Sequence, residues 1–125
     1  MAVEPGQGAS VELRVSVDDT AKALGSGDVE VLATPRLVAL AEEATVAATQ
    51  GYLRDQETSV CVRVQIDHVT PIAVGRKVWA EAQVESVHGR RIVFTVSVTD
   101  TRGLVAAGRV TRVVVDRSRF LEKAQ

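Results

Sequence analysis

The hydrophobic period of this chain changes twice, and that change limits the fold more tightly than anything else in the sequence. VELRVSV, residues 11–17, alternates apolar and polar side chains as a half-buried strand does. From Thr34 to about Gln50 the period becomes helical, with Leu37, Leu40, Ala41, Ala44 and Ala48 on one stripe by the i, i+3, i+4, i+7 rule. It then returns to two in TSVCVRVQIDHVTP, RKVWAEAQVESV, RRIVFTVSVTD and GLVAAGRVTRVVVD. One helix followed by long neighbouring strands predicts an α+β domain, an antiparallel sheet with the helix laid across one face.

Local signals set the boundaries. Thr34 followed by Pro35 starts the helix, since a threonine hydroxyl can accept from an orphan first-turn amide and proline is tolerated at the first helical position. Gly51 stops it. His88-Gly89 makes a tight hairpin and Asp100 to Gly103 the next turn. Strand parity gives the inner face Val60, Val62, Val64 and Ile66, then Val78, Ala80, Ala82 and Val84, then Ile92, Phe94, Val96 and Val98. Ala80, Ala82, Ala106 and Gly108 are small enough to let a helix sit close.

At 125 residues the chain is one domain's length and can bury a core without disulfides or metals. Residues 1–9 are expected to form a flexible leader, 10–117 the domain and 118–125 a C-terminal tail. A net charge of -1 offers no general attraction to nucleic acid or to an anionic membrane. No stretch is apolar enough to span a bilayer and no secretory leader opens the chain, so a soluble, unprocessed protein is expected. The lone Cys61 and two widely spaced histidines make neither an internal disulfide nor a metal site, which fits a reducing, cytoplasmic setting. No cofactor motif is present.

Two adjacent glutamates interrupt the helix. Glu43 shares a face with Arg36 and Gln50 and reads as a solvated carboxylate. Glu42 sits among Val38, Thr45 and Thr49, where a carboxylate is partly desolvated, a condition that suits a general base; the alternative is a surface glutamate beside the core stripe. His68 is in phase with Val60, Val62, Val64 and Ile66, on the face toward the helix, either as a satisfied core histidine or as a catalyst. Pro71 ends the pairing just beyond it. A Cys61–His68 dyad is ruled out by about 23 Å of extended chain and by odd separation, which puts the two side chains on opposite faces. Arg112 follows Leu104, Ala106, Gly108 and Val110 in phase and points inward, where a guanidinium needs a structural carboxylate or a substrate anion. Arg76, Lys77, Arg90 and Arg91 stand near strand ends, as solvated charges or as phosphate contacts.

VLATPRLVALAEEA, TSVCVRVQIDHVTPIAVG and VHGRRIVFTVSVTD together resemble the hotdog-fold thioesterases of the fluoroacetyl-CoA thioesterase type, over about residues 10–117. The family pattern is a Thr or Ser just before the central helix, a Glu eight residues on, and a His at the end of the next strand. Thr34, Glu42 and His68 match it without gaps. The aromatic lid of the fluoroacetyl-specific enzymes has no counterpart in SGDVEVLA, and Cys61 stands where those enzymes carry a glycine against the acyl group.

The resemblance implies a hotdog fold, with the sheet curled around the helix, and hydrolysis of a small or medium acyl-CoA at a crevice between two protomers of a homodimer. Thr34, Glu42 and His68 are the catalytic residues it implies, with Cys61 beside the substrate; Arg112, by its inward phase, is the further candidate for a substrate contact. Glu42 either activates water or attacks directly; His68 orients the nucleophile or transfers protons, and helix-start amides hold the oxyanion. About 12 Å of helix separates Thr34 from Glu42, so the two must reach His68 from different sides or the Thr34 region must bend back. The alternative is a non-catalytic hotdog module that binds acyl-CoA or a small apolar carboxylate.

Overall fold

The computed structural model describes residues 1–125. Strand β1 (Gly8–Arg14) is followed by a short helix α1 (Ala21–Leu24), the long helix α2 (Thr34–Thr49), and strands β2 (Glu57–His68), β3 (Lys77–His88), β4 (Arg91–Asp100) and β5 (Gly103–Asp116). A terminal helix α3 spans Arg117–Lys123. The strands form one antiparallel sheet in the order β1-β3-β4-β5-β2. Its inner face packs on α2, the hotdog arrangement. Leu37, Leu40, Ala41, Ala44 and Ala48 are buried on the helix, against Val78, Ala80, Ala82 and Val84 of β3 and Ile92, Phe94, Val96 and Val98 of β4. The alternation in those two strands therefore reads directly as the core.

The turns obey the local chemistry. Gly89 has a φ of 61° at the first central position of the β3–β4 hairpin, between the paired His88 and Arg91. At the β4–β5 turn the buried Asp100 carboxylate accepts from the Arg102 and Gly103 amides and pairs with Arg102 and Arg76. Arg76 and Arg90, like Lys77, are thus structural partners of carboxylates, Arg90 and Lys77 pairing with Glu57 and Glu12.

Three expectations are corrected. The first residues are not a loose leader: Ala2 N donates to Tyr52 O, Gly6 N to Val84 O, and Val3 enters the core at 7% exposure. Beyond the sheet, 117–123 is a short exposed helix whose Asp116 cap accepts from the Arg119 amide. Strand parity fails in β2 and at the start of β5. Cys61 pairs with Arg112 and Arg63 with the adjacent Thr111, so Val62 is an extra, bulged residue, 50% exposed. The bulge returns Val64 and Ile66 to the core side and puts Cys61 there with them. Opposite Val98 and Thr99, Val105 is skipped in the same way; it is buried and Leu104 is exposed. Gly108 also has a different reason from the expected one. A Cβ there would collide with the backbone carbonyl of Gln65, so glycine lets β2 and β5 approach rather than the helix.

Candidate active site

Helix α2 begins without a side-chain cap. Ala33 is the N-cap residue, Thr34 is already helical, and the Thr34 hydroxyl bonds to no first-turn amide. It lies instead 2.8 Å from Nδ1 of His68, the last residue of β2. The expected capping role is therefore corrected: the hydroxyl is committed to the imidazole. On the other side of the ring, Nε2 is 3.0 Å from the Thr70 carbonyl oxygen. A carbonyl only accepts, so Nε2 carries a proton, and in the neutral ring Nδ1 accepts from the Thr34 hydroxyl. This is the polarity of a hydroxyl–imidazole dyad, with a backbone carbonyl orienting the ring.

Both ends of the pair are anchored. Val69 N and Thr70 N donate to Val105 O, and the Thr70 hydroxyl donates to Leu104 O, so the β5 bulge holds the segment that aims His68. Before the helix, Ala33 N donates to Asp19 O and Leu32 N to Ile72 O. Arg36 Nε meets Asp19 Oδ1 at 3.0 Å, while the other Asp19 oxygen accepts from the Ser16 amide and hydroxyl. Burial works to raise the Asp19 pKa, but these bonds together hold it below the usual carboxylate value.

Glu42 stands elsewhere. Its carboxylate is 34% exposed and lies 3.8 Å from Nη1 of Arg112, which is almost fully buried. Arg112 points inward as expected, and its Nε and Nη2 donate to the hydroxyl and carbonyl oxygens of Ser59 at 2.8 and 2.9 Å. One guanidinium arm is thus left to face Glu42. Burial works against the guanidinium charge, partly offset by Cys61 and Glu42. The bulge brings Cys61 to the same cluster. Burial first, then the neighbouring Glu42 charge, push its thiol up, so it stays protonated and is a poor nucleophile. The opposite-face argument against a Cys61–His68 dyad is overturned, but their separation along β2 still stands.

Within one protomer the sequence-predicted residues form two groups. Thr34 and His68 line a cleft of about 340 Å3 with Leu32, Val69 and Pro71; Glu42 and Arg112 line another of about 510 Å3 with Ala39, Val46 and Gln50. Helix α2 is continuous between them, so about 12 Å of helix keeps Glu42 from the dyad within one protomer. Sequence reasoning missed Asp19, Ser59 and Thr70. Only Asp19 carried a signal, as an acid three residues after Ser16 where a short helical turn starts. No group of His, Cys, Asp and Glu side chains is arranged to hold a metal.

Solved structures share this architecture. A hot-dog-like protein from Thermanaerovibrio acidaminovorans superposes with a TM-score of 0.90 at 25% identity, covering 98% of this chain and 91% of that one. A variant of the fluoroacetyl-CoA thioesterase FlK, solved in complex with acetyl-CoA, superposes with a TM-score of 0.92 at 26% identity, covering 98% and 96%. Fold and site together define a hotdog-fold thioester hydrolase. The fluoroacetyl-CoA-specific thioesterase family profile matches residues 15–118, and the fluoroacetyl-CoA thioesterase of Streptantibioticus cattleyicolor is 32% identical over 96 residues, 77% of this chain and 69% of that protein. The chain belongs to the fluoroacetyl-CoA-specific thioesterase family.

Proposed function

We propose that the protein hydrolyses small or medium acyl-CoA thioesters with Thr34, His68 and Glu42, at a crevice shared by two copies of the chain in the cytoplasm. The single observation that carries the assignment is the Thr34 hydroxyl held 2.8 Å from His68 Nδ1, with the ring's other nitrogen tied to a carbonyl. A thiolate leaves easily, so the enzyme must supply an activated oxygen nucleophile and a place for the oxyanion. His68 takes the proton from the Thr34 hydroxyl or from a water that the hydroxyl positions. The first-turn amides of Thr34 and Arg36 make no backbone hydrogen bond and Pro35 has none to give, which leaves donors for the developing negative charge.

A dimer would supply what one protomer lacks. Strand β2 is a long sheet edge with one side unpaired, and it carries His68 at its end and Cys61 beside Glu42. Antiparallel pairing of two such edges would run the His68 end of one β2 back along the Cys61 side of the other, and so bring the dyad of one copy toward the carboxylate of the other. Glu42, oriented by Arg112, then acts on water or on the acyl carbon from the far side. Cys61 and Arg112 flank the acyl group as neighbours, not as nucleophiles.

Thiol release from a panel of acyl-CoAs tests the assignment. Wild type releases CoA, whereas Glu42→Ala and His68→Ala do not. Thermal stabilisation by acyl-CoA without any thiol release would support the non-catalytic module instead.

A further inference from the structure

Thioester hydrolysis does not dictate which nitrogen of His68 faces the nucleophile, and an unrestrained imidazole carries its proton on either one. One residue makes the choice in this chain. Thr70 presents its carbonyl oxygen 3.0 Å from Nε2, and an oxygen that only accepts keeps the proton on that nitrogen. The carbonyl can do this only while its backbone is held still, yet strand β2 ends at His68 and Thr70 lies beyond the regular pairing. Two bonds to β5 hold it. The Thr70 amide donates to Val105 O at 3.2 Å, an acceptor it shares with the Val69 amide, and the Thr70 hydroxyl donates to Leu104 O at 2.9 Å. Successive carbonyls of a regular strand point to opposite edges, yet those of Leu104 and Val105 both accept from Thr70. The register shift opposite Val98 and Thr99, which makes Val105 an extra residue, brings the two to one side.

We infer that Thr70 is a positioning residue: its hydroxyl, fastened to the β5 bulge, fixes the carbonyl that sets the His68 tautomer and leaves Nδ1 as the one ring nitrogen open to chemistry. The inference rests on the thioesterase reading above and specifies how its base is prepared. Nδ1 takes the proton that Thr34, or the water it positions, gives up; Nε2 keeps its own proton against Thr70. That first proton then leaves from Nδ1 to the departing thiolate. Without the hydroxyl the carbonyl loses its shorter tether and the second tautomer becomes populated. A neutral ring with its proton on Nδ1 donates toward Thr34 and cannot accept from it, so activity falls by the share of ring in that form.

The test compares wild type, Thr70→Val and Thr70→Ser. Valine keeps the shape of threonine and removes only the hydroxyl; serine returns it. The tautomer is read from the 15N shifts of the His68 ring at about pH 9, where an ordinary imidazole is neutral. A His88→Gln background removes the signals of the other histidine, which is exposed in its hairpin. Wild type should show one tautomer, with Nε2 protonated and Nδ1 bare. Thr70→Val should move the two shifts toward each other and lower kcat on acetyl- or butyryl-CoA about two- to tenfold at unchanged KM. Thr70→Ser should restore both. Wild-type ring shifts in Thr70→Val, a loss confined to KM, an unchanged kcat, or a wild-type ring protonated on Nδ1 each overturn the assignment while leaving hydrolysis standing. Should wild type release no thiol, the hydrolase reading fails and the ring shifts decide Thr70 by themselves: a mixed tautomer in Thr70→Val that Thr70→Ser corrects upholds its positioning role, and any other pattern overturns it.

Discussion

Thr34 and His68, thirty-four residues apart in the chain, meet at 2.8 Å because a helix start and a strand end are anchored to the same side of the sheet. The hydroxyl is free for this because Ala33 takes the N-cap position. Loss of Thr34 therefore removes chemistry without removing a helix cap. Thr34→Ala and His68→Ala should each lower kcat by roughly a hundredfold to ten-thousandfold. Thr34→Ser should retain most activity. Thermal melts of Thr34→Ala should stay close to wild type; a large drop in Tm would mean that the hydroxyl supports the fold instead.

Glu42 and Cys61 are neighbours with opposite expected outcomes. Glu42→Gln keeps the shape of the side chain but removes its basicity, and should abolish measurable thiol release. Cys61→Ser keeps a small polar group at the inner face and should leave kcat within a few-fold of wild type, since the protonated thiol does no chemistry. Alkylation by iodoacetamide should be slow for the same reason. Arg112→Gln, which deprives Ser59 of a charged donor and Glu42 of its only nearby cation, should cost about 1–3 kcal/mol of stability, read from urea unfolding.

Gly108 tests the sheet rather than the site. Ala in its place would drive a methyl group into the Gln65 carbonyl across the β2–β5 pairing. Gly108→Ala should destabilise by about 1–3 kcal/mol or more, whereas Gly6→Ala, with open space around its Cβ, meets only the strain of a φ of 93°. Denaturant midpoints of the two variants make the comparison.

Acid should loosen the protein through Asp19 and Asp100. Burial pushes both carboxyls up, but their hydrogen bonds and arginine neighbours, Arg36 for Asp19 and Arg102 and Arg76 for Asp100, bring the net folded pKa below 3.8. A depressed folded pKa adds stability that is complete above the unfolded value and is lost as pH falls through the folded one. Tm should accordingly be steady above about pH 5 and fall below about pH 4. Asp19→Asn and Asp100→Asn should each start from a lower Tm at pH 7 and fall less steeply in acid.

Much of this fold was legible from periodicity alone. The stripe on α2 and the inner faces of β3 and β4 are where a count of two or 3.6 puts them, because regular elements repeat what the count assumes. Bulges break it. One extra residue at Val62 reversed the expected facing of Cys61, and another at Val105 turned Leu104 outward; neither has a local signal in a run of β-branched residues. The leader was misread because Val3 is a single apolar residue among Pro and Gly, and the bonds that hold its neighbours, Ala2 to the Tyr52 carbonyl and Gly6 to that of Val84, are long-range contacts that no local pattern encodes. Thr34, Glu42 and His68 were found as residues, through spacing and resemblance. The separation of Thr34 from Glu42 along the helix was legible from its rise per residue; that His68 joins Thr34 and not Glu42 was not, because it depends on which end of β2 lies beside which end of the helix.

The central claim is that one copy supplies Thr34 and His68 and the other supplies Glu42. Co-expression of His68→Ala and Glu42→Gln chains with different affinity tags, and purification of the mixed dimer through both, tests it directly. Each parent homodimer is inactive. In the mixed dimer one of the two crevices regains an intact dyad and an intact carboxylate, so thiol release should return to about half the wild-type rate. A mixed dimer as inactive as its parents, or a double-tag purification that yields no dimer at all, would contradict the shared site.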